Sequence, residues 1–283
     1  MRVSSSHLRL ASPYFKRMFR SGWPEGDALR TKGRVEIRLQ NSEDPDALLI
    51  ILNIIHGHTR KVPRTVDLTM LTKIAVLVDI YECYEVVEMF SNMWIDSLIG
   101  DMPQSISMKL TQWIWVAWVF NKPDQFKVAT RIAGRQNRDL IETCGLPIPQ
   151  IVAARIDEQR QTSINRIGSA LHDLLDYFNS DDVHCSFECD SILLGALTKE
   201  MKSKKLSSED LRGPCLGMSY EDVVDKAKNI RLPRWNGVCN GYSSYGYHNC
   251  SIETHVDPIL ASLEDYMCGL DLKDFPSHYG RDA

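Results

Sequence analysis

The chain has 283 residues and a formal net charge of −4 at pH 7. Hydrophobic residues make up 43% and charged residues 25%, which excludes a largely disordered chain. The small negative charge offers no broad attraction to nucleic acid or anionic lipid, so neither is the default partner.

The length favours more than one domain, because domains of about 100 to 150 residues are the most common. Met1 is followed by polar and basic residues, so the sequence predicts no secretory signal. We therefore expect an intracellular protein, cytoplasmic or nuclear, whose eight cysteines are thiols or metal ligands. The most apolar stretch, residues 113–120, is far shorter than the roughly 20 residues that a bilayer requires, which predicts a buried helix and no membrane anchor.

The first segment is typical of two short helices. Ser12 precedes Pro13, and a serine N-cap followed by proline at the first helical position predicts that the second helix starts there. The glycines and the proline between residues 22 and 26 are expected to end that helix. Residues 34–39 alternate polar and apolar side chains, which predicts a half-buried strand.

Helical periodicity dominates the rest of the chain as far as residue 178. Helix therefore far exceeds strand, and the predicted fold class is α+β, predominantly α-helical. The large apolar residues on these periods are predicted to be core residues, among them Met89, Trp94, Trp113 and Trp118. The helical segments are 45–57, 68–81, 87–98 and the parts of 106–178 that are separated by Pro123 and by the turn 147–149.

The character of the chain changes beyond Ser180. Six of the eight cysteines lie there, together with a stretch rich in glycine, serine and tyrosine over residues 236–247. The sequence therefore predicts three regions, namely 1–100, a helical extension at 101–180, and a cysteine- and histidine-containing region at 181–283.

Residues 3–19 resemble the start of the helical core of the BTB/POZ domain, where a strand end is followed by a serine- and histidine-containing turn and a helical hairpin. Residues 50–57 and 71–83 are similar to the third and fourth helices of that family in its fungal form. The resemblance implies a BTB/POZ core over residues 1–100 that serves as a protein-interaction module. Four later segments resemble features of a C-terminal extension that fungal BTB proteins share. They are residues 113–120, 145–149, 185–190 and 269–272.

The sequence departs from the family pattern at its N-terminus. A BTB fold begins with a β-hairpin whose second strand ends where this chain starts, at Arg2 and Val3. We therefore expect a core truncated at its N-terminus, in which the strand at 34–39 has unpaired backbone groups and the first helices have uncovered apolar faces. Family dimers often use the hairpin that is missing here, so the resemblance does not imply the usual BTB homodimer. Uncovered apolar faces favour association or instability, and self-association stays an alternative to docking on a scaffold.

BTB domains that recruit a cullin scaffold carry a hydrophobic residue, any residue and a glutamate in the loop after the second helix. Residues 23–25, Trp-Pro-Glu, fit this pattern. The resemblance thus implies a substrate adaptor of a cullin-type ubiquitin ligase in which Trp23 and Glu25 bind the protein partner. A tryptophan can anchor an interface while a carboxylate fixes its register. The alternative is a tryptophan that folds back on the core.

The last region contains a candidate structural zinc site. Two close pairs of residues offer the four soft donors that tetrahedral zinc prefers. The first pair is also spaced by four residues, which places two thiols on one helix face, so buried thiols are the alternative. The predicted ligands are Cys185, Cys189, His248 and Cys250, with Cys239 or His255 as possible replacements.

Two other functions follow from this region. A nuclear regulatory protein would use a zinc-stabilised C-terminal region to bind nucleic acid, and its support is a run of lysines at residues 199–205, which otherwise forms a solvated helix end. A zinc enzyme would need an open ligand position. The sequence contains no nucleophile elbow, Walker loop, dinucleotide fingerprint or metalloprotease helix, so we expect no enzyme.

Overall fold

A computed structural model describes residues 2–37, 44–211, 213–231 and 252–276 of the chain. Every regular element in these residues is a helix, and none of them belongs to a strand. The fold class is therefore all-α, and the expectation of an α+β fold with a BTB core is wrong.

The described chain divides into two units. Unit 1 comprises residues up to 129, residues 142–148 and residues 271–276, and unit 2 comprises residues 130–141 and 149–270. The helices of unit 1 are α1 (Ser5–Ala11), α2 (Pro13–Met18), α3 (Pro24–Lys32), α4 (Pro45–Ile55), α5 (Leu68–Tyr81), α6 (Tyr84–Leu98) and α7 (Met108–Val119). The helix α8 (Pro123–Gln136) begins in unit 1 and ends in unit 2. The further helices of unit 2 are α9 (Gln150–Phe178), α10 (Phe187–Lys204), α11 (Ser208–Leu211), α12 (Tyr220–Lys228) and α13 (Glu253–Tyr266).

The described part of the strand predicted at residues 34–39 is not a strand. This part is residues 34–37, and residues 38 and 39 lie outside the described residues. A strand must pair its N–H and C=O groups with a neighbour, and the described residues offer no second strand. Residues 34–37 instead follow α3 without regular secondary structure.

The predicted helix start at Pro13 is confirmed, and the preceding serine does more than cap it. The Ser12 hydroxyl accepts from the Phe15 N–H at 3.1 Å and donates to the Tyr81 carbonyl at 2.5 Å. Ser12 is fully buried, so this one side chain joins the start of α2 to the end of α5.

Helix α3 lies where the sequence predicts only the end of a helix. Pro24 occupies its first turn, where a missing N–H is tolerated. Gly26 follows because a Cβ at this position would lie 2.0 Å from the carbonyl oxygen of Arg20. Pro24 and Gly26, which usually end helices, therefore lie in the first turn of α3.

The core of unit 1 is built around α5, which packs against α4 and α7. As predicted, Trp113 and Trp118 of α7 are buried. Trp94 of α6 is also buried, and its indole N–H donates to the carbonyl of Pro63 at 3.0 Å. Met89 is 78% exposed, so its assignment to the core is wrong.

Unit 2 is organised by α9, because α10, α11, α12 and α13 all pack against it. The approach of α11 is close, since a Cβ on Gly168 would lie 2.9 Å from Cδ1 of Leu211. The core-facing side of α9 is apolar apart from two residues. These are Ser163, which is fully buried, and Arg160, which is only 1% exposed.

The Arg160 guanidinium is held by an ion pair and by backbone acceptors. It lies 2.7 Å from the Asp157 carboxylate one turn earlier on α9. It also donates to the carbonyl oxygens of Cys215 at 2.9 Å, Met218 at 2.7 Å and Pro214 at 3.3 Å. These bonds tie α9 to the loop that leads into α12.

The predicted region boundaries near residues 100 and 180 fall inside unit 1 and inside unit 2, respectively. Whether the three predicted regions fold separately stays a prediction. None of the helices in the described part of the chain combines the length and the apolar character that a membrane crossing demands.

We expect Ser12→Ala to lower the free energy of unfolding by about 1 to 3 kcal/mol, because it removes an N-cap and leaves a buried carbonyl without its donor. Urea unfolding measures this loss. Ser4→Ala is the matched control, since Ser4 is the N-cap of α1 but its side chain makes no cap hydrogen bond. Equal losses for the two variants would contradict the link between α2 and α5.

We expect Arg160→Met to lower the free energy of unfolding by about 3 to 5 kcal/mol, because it leaves Asp157 and the loop carbonyls without their buried donor. Arg155→Met is the control on the same helix, because Arg155 pairs with Glu158 at the surface. Its loss should be about 0.5 kcal/mol or less in the same urea experiment. Similar losses for both would show that Arg160 does not hold the loop.

Candidate functional site

The predicted protein-binding residues lie in unit 1, where the chain passes from α2 into α3. We call residues 20–25 the tryptophan loop, which comprises residues 20–23 of the connection and the first two residues of α3. Trp23 is the residue that immediately precedes α3. The Trp23 side chain is 57% exposed, so it does not fold back into the core. Glu25 is half-buried in the first turn of α3, where the helix dipole favours a negative charge.

The backbone of the tryptophan loop is fixed at both ends. The Trp23 N–H donates to the Arg20 carbonyl at 3.4 Å, and the Asp27 N–H donates to the Trp23 carbonyl at 2.9 Å. The close contact of Gly26 with the Arg20 carbonyl leaves no room for a side chain there. The backbone at Trp23 is therefore held in place by the turn, while the indole ring is exposed.

Two side chains of α3 reach back to the loop. The Asp27 carboxylate accepts from the Gly22 N–H at 3.2 Å, where Gly22 has a φ of +91°. The Arg30 guanidinium donates to the Ser21 hydroxyl and to Asp27, each at 3.0 Å. Sequence reasoning did not select Asp27 and Arg30. Their i, i+3 spacing is a signal for an ion pair on one helix, but nothing local shows that the pair also holds the loop.

The first pair of predicted zinc ligands lies at the start of α10 in unit 2. Cys189 is buried in the apolar core of this unit, and Cys185 is partly buried against the same core. His248 and Cys250 lie outside the described residues, as does Cys239. The zinc site with these ligands therefore stays a prediction.

His255, the other possible replacement ligand, lies in the first turn of α13. Its ring centroid is 5.2 Å from that of Tyr177, whose ring also lies 3.5 Å from that of His184. The backbone N–H of His184 donates to the Asp190 carboxylate at 2.9 Å. Across the described residues, no three side chains of His, Cys, Asp or Glu are grouped so that they could hold a metal ion.

The lysine run lies at the C-terminal end of α10, with Lys202 and Lys204 in its last turn. Cations are favoured there by the helix dipole. Lys204 also approaches Glu200 on the same helix at 3.9 Å. Lys199, Lys202 and Lys205 are exposed, whereas Lys204 is half-buried.

No protein-family model, curated protein or solved structure matches the chain. Membership of the BTB/POZ family therefore stays a prediction that depends on the residues quoted above.

We expect iodoacetamide to modify Cys144, which is exposed, in the native protein and to modify Cys189 only after unfolding. Cys83 is a second buried reference, because burial raises the pKa of its thiol to about 12. Mass spectrometry of the labelled peptides measures both rates, with and without a strong zinc chelator. If the chelator makes Cys189 reactive in the folded protein, a metal ion and not apolar packing protects it.

Proposed function

We propose that this chain is a protein-interaction module that docks a protein partner through the tryptophan loop. The observation that carries the proposal is a solvent-exposed tryptophan, Trp23, on a backbone that is already held in place. Tryptophan is the residue most enriched among interface anchors, because burying its large ring contributes much of the binding energy.

The order of the loop before binding adds to this support. Ordering a flexible segment on association costs free energy, so a surface that is ordered in advance binds more tightly for the same contacts. Asp27 and Arg30 provide that order here. Glu25 lies on the next turn and offers a carboxylate that can fix the register of a partner.

The BTB/POZ resemblance suggests which partner to test first. Residues 23–25 follow the second helix, as in the pattern of BTB domains that recruit cullins. We therefore propose a cullin scaffold as the partner and the role of substrate adaptor for a ubiquitin ligase. Because the described residues contain no BTB sheet, this narrower proposal is supported by the loop alone.

Purified full-length chain and the N-terminal region of a cullin scaffold provide the test in a pull-down followed by titration. We expect Trp23→Ala to weaken binding by about 30-fold, because loss of an interface anchor costs about 2 kcal/mol or more. Glu25→Ala should weaken it by a smaller factor.

The control for this experiment is Leu10→Ala, which removes another exposed apolar side chain of unit 1, on α1. It should leave the affinity unchanged. If the wild-type protein does not bind the scaffold, the cullin proposal fails. If it binds and the Trp23 and Leu10 variants bind equally well, the tryptophan loop plays no part.

A further inference from the structure

A groove of about 600 Å³ lies between α9 and α13 in unit 2. Its lining includes three apolar residues, the buried Leu174 and Val256 and the half-buried Ile259, which we call the floor. The residues that α9 contributes begin at Thr162 and recur at helical spacing as far as Tyr177. At 1.5 Å per residue this lining extends for about 22 Å, so the groove is long and shallow.

Two side-chain contacts join α9 to α13. The guanidinium carbon of Arg166 lies 5.0 Å from the ring centroid of Tyr266, and the ring centroid of Tyr177 lies 5.2 Å from that of His255. The order of these residues is opposite along the two helices, so α9 and α13 run antiparallel. The two contacts are about 16 Å apart along α9, and the apolar floor lies between them.

The rim of the groove carries opposite charges at a defined separation. Arg166 and Asp173 are both exposed and both line the groove, two helical turns apart on α9. The two lining residues between them, Ser169 and Ala170, are uncharged. An occupant that matches this rim has an apolar side for the floor, an acid for Arg166 and a base for Asp173.

We propose that this groove binds an amphipathic helix of a protein partner, with an acidic side chain against Arg166 and a basic side chain against Asp173. A helix suits an apolar floor because it satisfies its own backbone hydrogen bonds, whereas an extended peptide would leave N–H and C=O groups unpaired over Leu174 and Val256. Its two charges would stand about two turns apart, like those of α9. A second copy of this groove fits less well, because two concave surfaces cannot fill each other.

This site is separate from the tryptophan loop and does not depend on the function proposed above. The loop belongs to unit 1 and projects an anchor, while the groove belongs to unit 2 and accepts one. Trp23→Ala should therefore leave binding at the groove unchanged.

The probes are four fluorescent amphipathic peptides of about 18 residues, long enough for a helix that spans the groove. They share one leucine face and differ at two positions seven residues apart, which hold Glu and Lys, two Glu, two Lys or two Gln. Fluorescence anisotropy with the full chain measures their affinities. We expect the Glu and Lys peptide to bind about threefold to tenfold more tightly than the Gln peptide, as two exposed charge pairs allow.

Variants of the rim should switch this preference. Arg166→Glu should make the peptide with two lysines the tightest binder, and Asp173→Lys should do the same for the peptide with two glutamates. Asp176→Lys is the matched control for the second change, because Asp176 is an exposed acid of α9 that does not line the groove. Ala170→Arg, which fills the groove, should abolish binding of all four peptides.

The proposal is overturned if no peptide binds, if all four bind equally to the wild type, or if Ala170→Arg leaves binding unchanged. It is also overturned if sedimentation shows that the protein self-associates and that Ala170→Arg removes this association, because the groove would then belong to a second copy. Circular dichroism of each variant confirms that loss of binding is not loss of fold.

Discussion

The buried guanidinium of Arg160 is the interaction on which unit 2 depends. A charge in an apolar core is tolerated only when its hydrogen-bonding capacity is satisfied, and here Asp157 and backbone carbonyls from residues 214–218 satisfy it. The loop is thereby held against α9, and the next residue, Ser219, caps α12 in a reciprocal arrangement with Asp222. One side of α9 is buried in the core of unit 2, and another side lines the groove.

Local signals predicted much of the helical structure. A proline that follows a capping residue starts α2 at Pro13 and α4 at Pro45, because the cap and the fixed φ of proline act within one turn. Pro24 also starts a helix, but the residue before it, Trp23, provides no side-chain cap, and the neighbouring glycines suggest a helix end. The Arg20 carbonyl leaves no room for a Cβ at position 26, and that contact exists only after the chain has folded.

Long-range pairing accounts for the rest of the differences. An alternating segment at residues 34–39 has the pattern of a strand, but a sheet depends on a partner that no periodicity within the segment reveals. Likewise, Met89 lies on the apolar period of α6 but faces solvent, because the neighbours that cover a helix decide which part of its stripe is buried.

The candidate sites show the same contrast between local sequence signals and contacts that form only in the folded chain. Trp23 and Glu25 could be selected from a short pattern, whereas Asp27 and Arg30, which order their loop, are recognised only from their contacts. The groove could not be predicted, since residues 179–252 separate its two helices in the sequence. Of the predicted zinc ligands, the described residues contain only the first pair, and the geometry of the full set lies beyond them.

The central claim is that an ordered, exposed tryptophan is the anchor of a protein interface. It is tested most directly by fluorine NMR of the full chain labelled with 5-fluorotryptophan, with the Trp23 signal assigned from a Trp23→Phe variant. On titration with the cullin scaffold, the account predicts that the Trp23 signal shifts while those of the buried Trp94, Trp113 and Trp118 do not. Binding of the scaffold with an unchanged Trp23 signal would contradict the account.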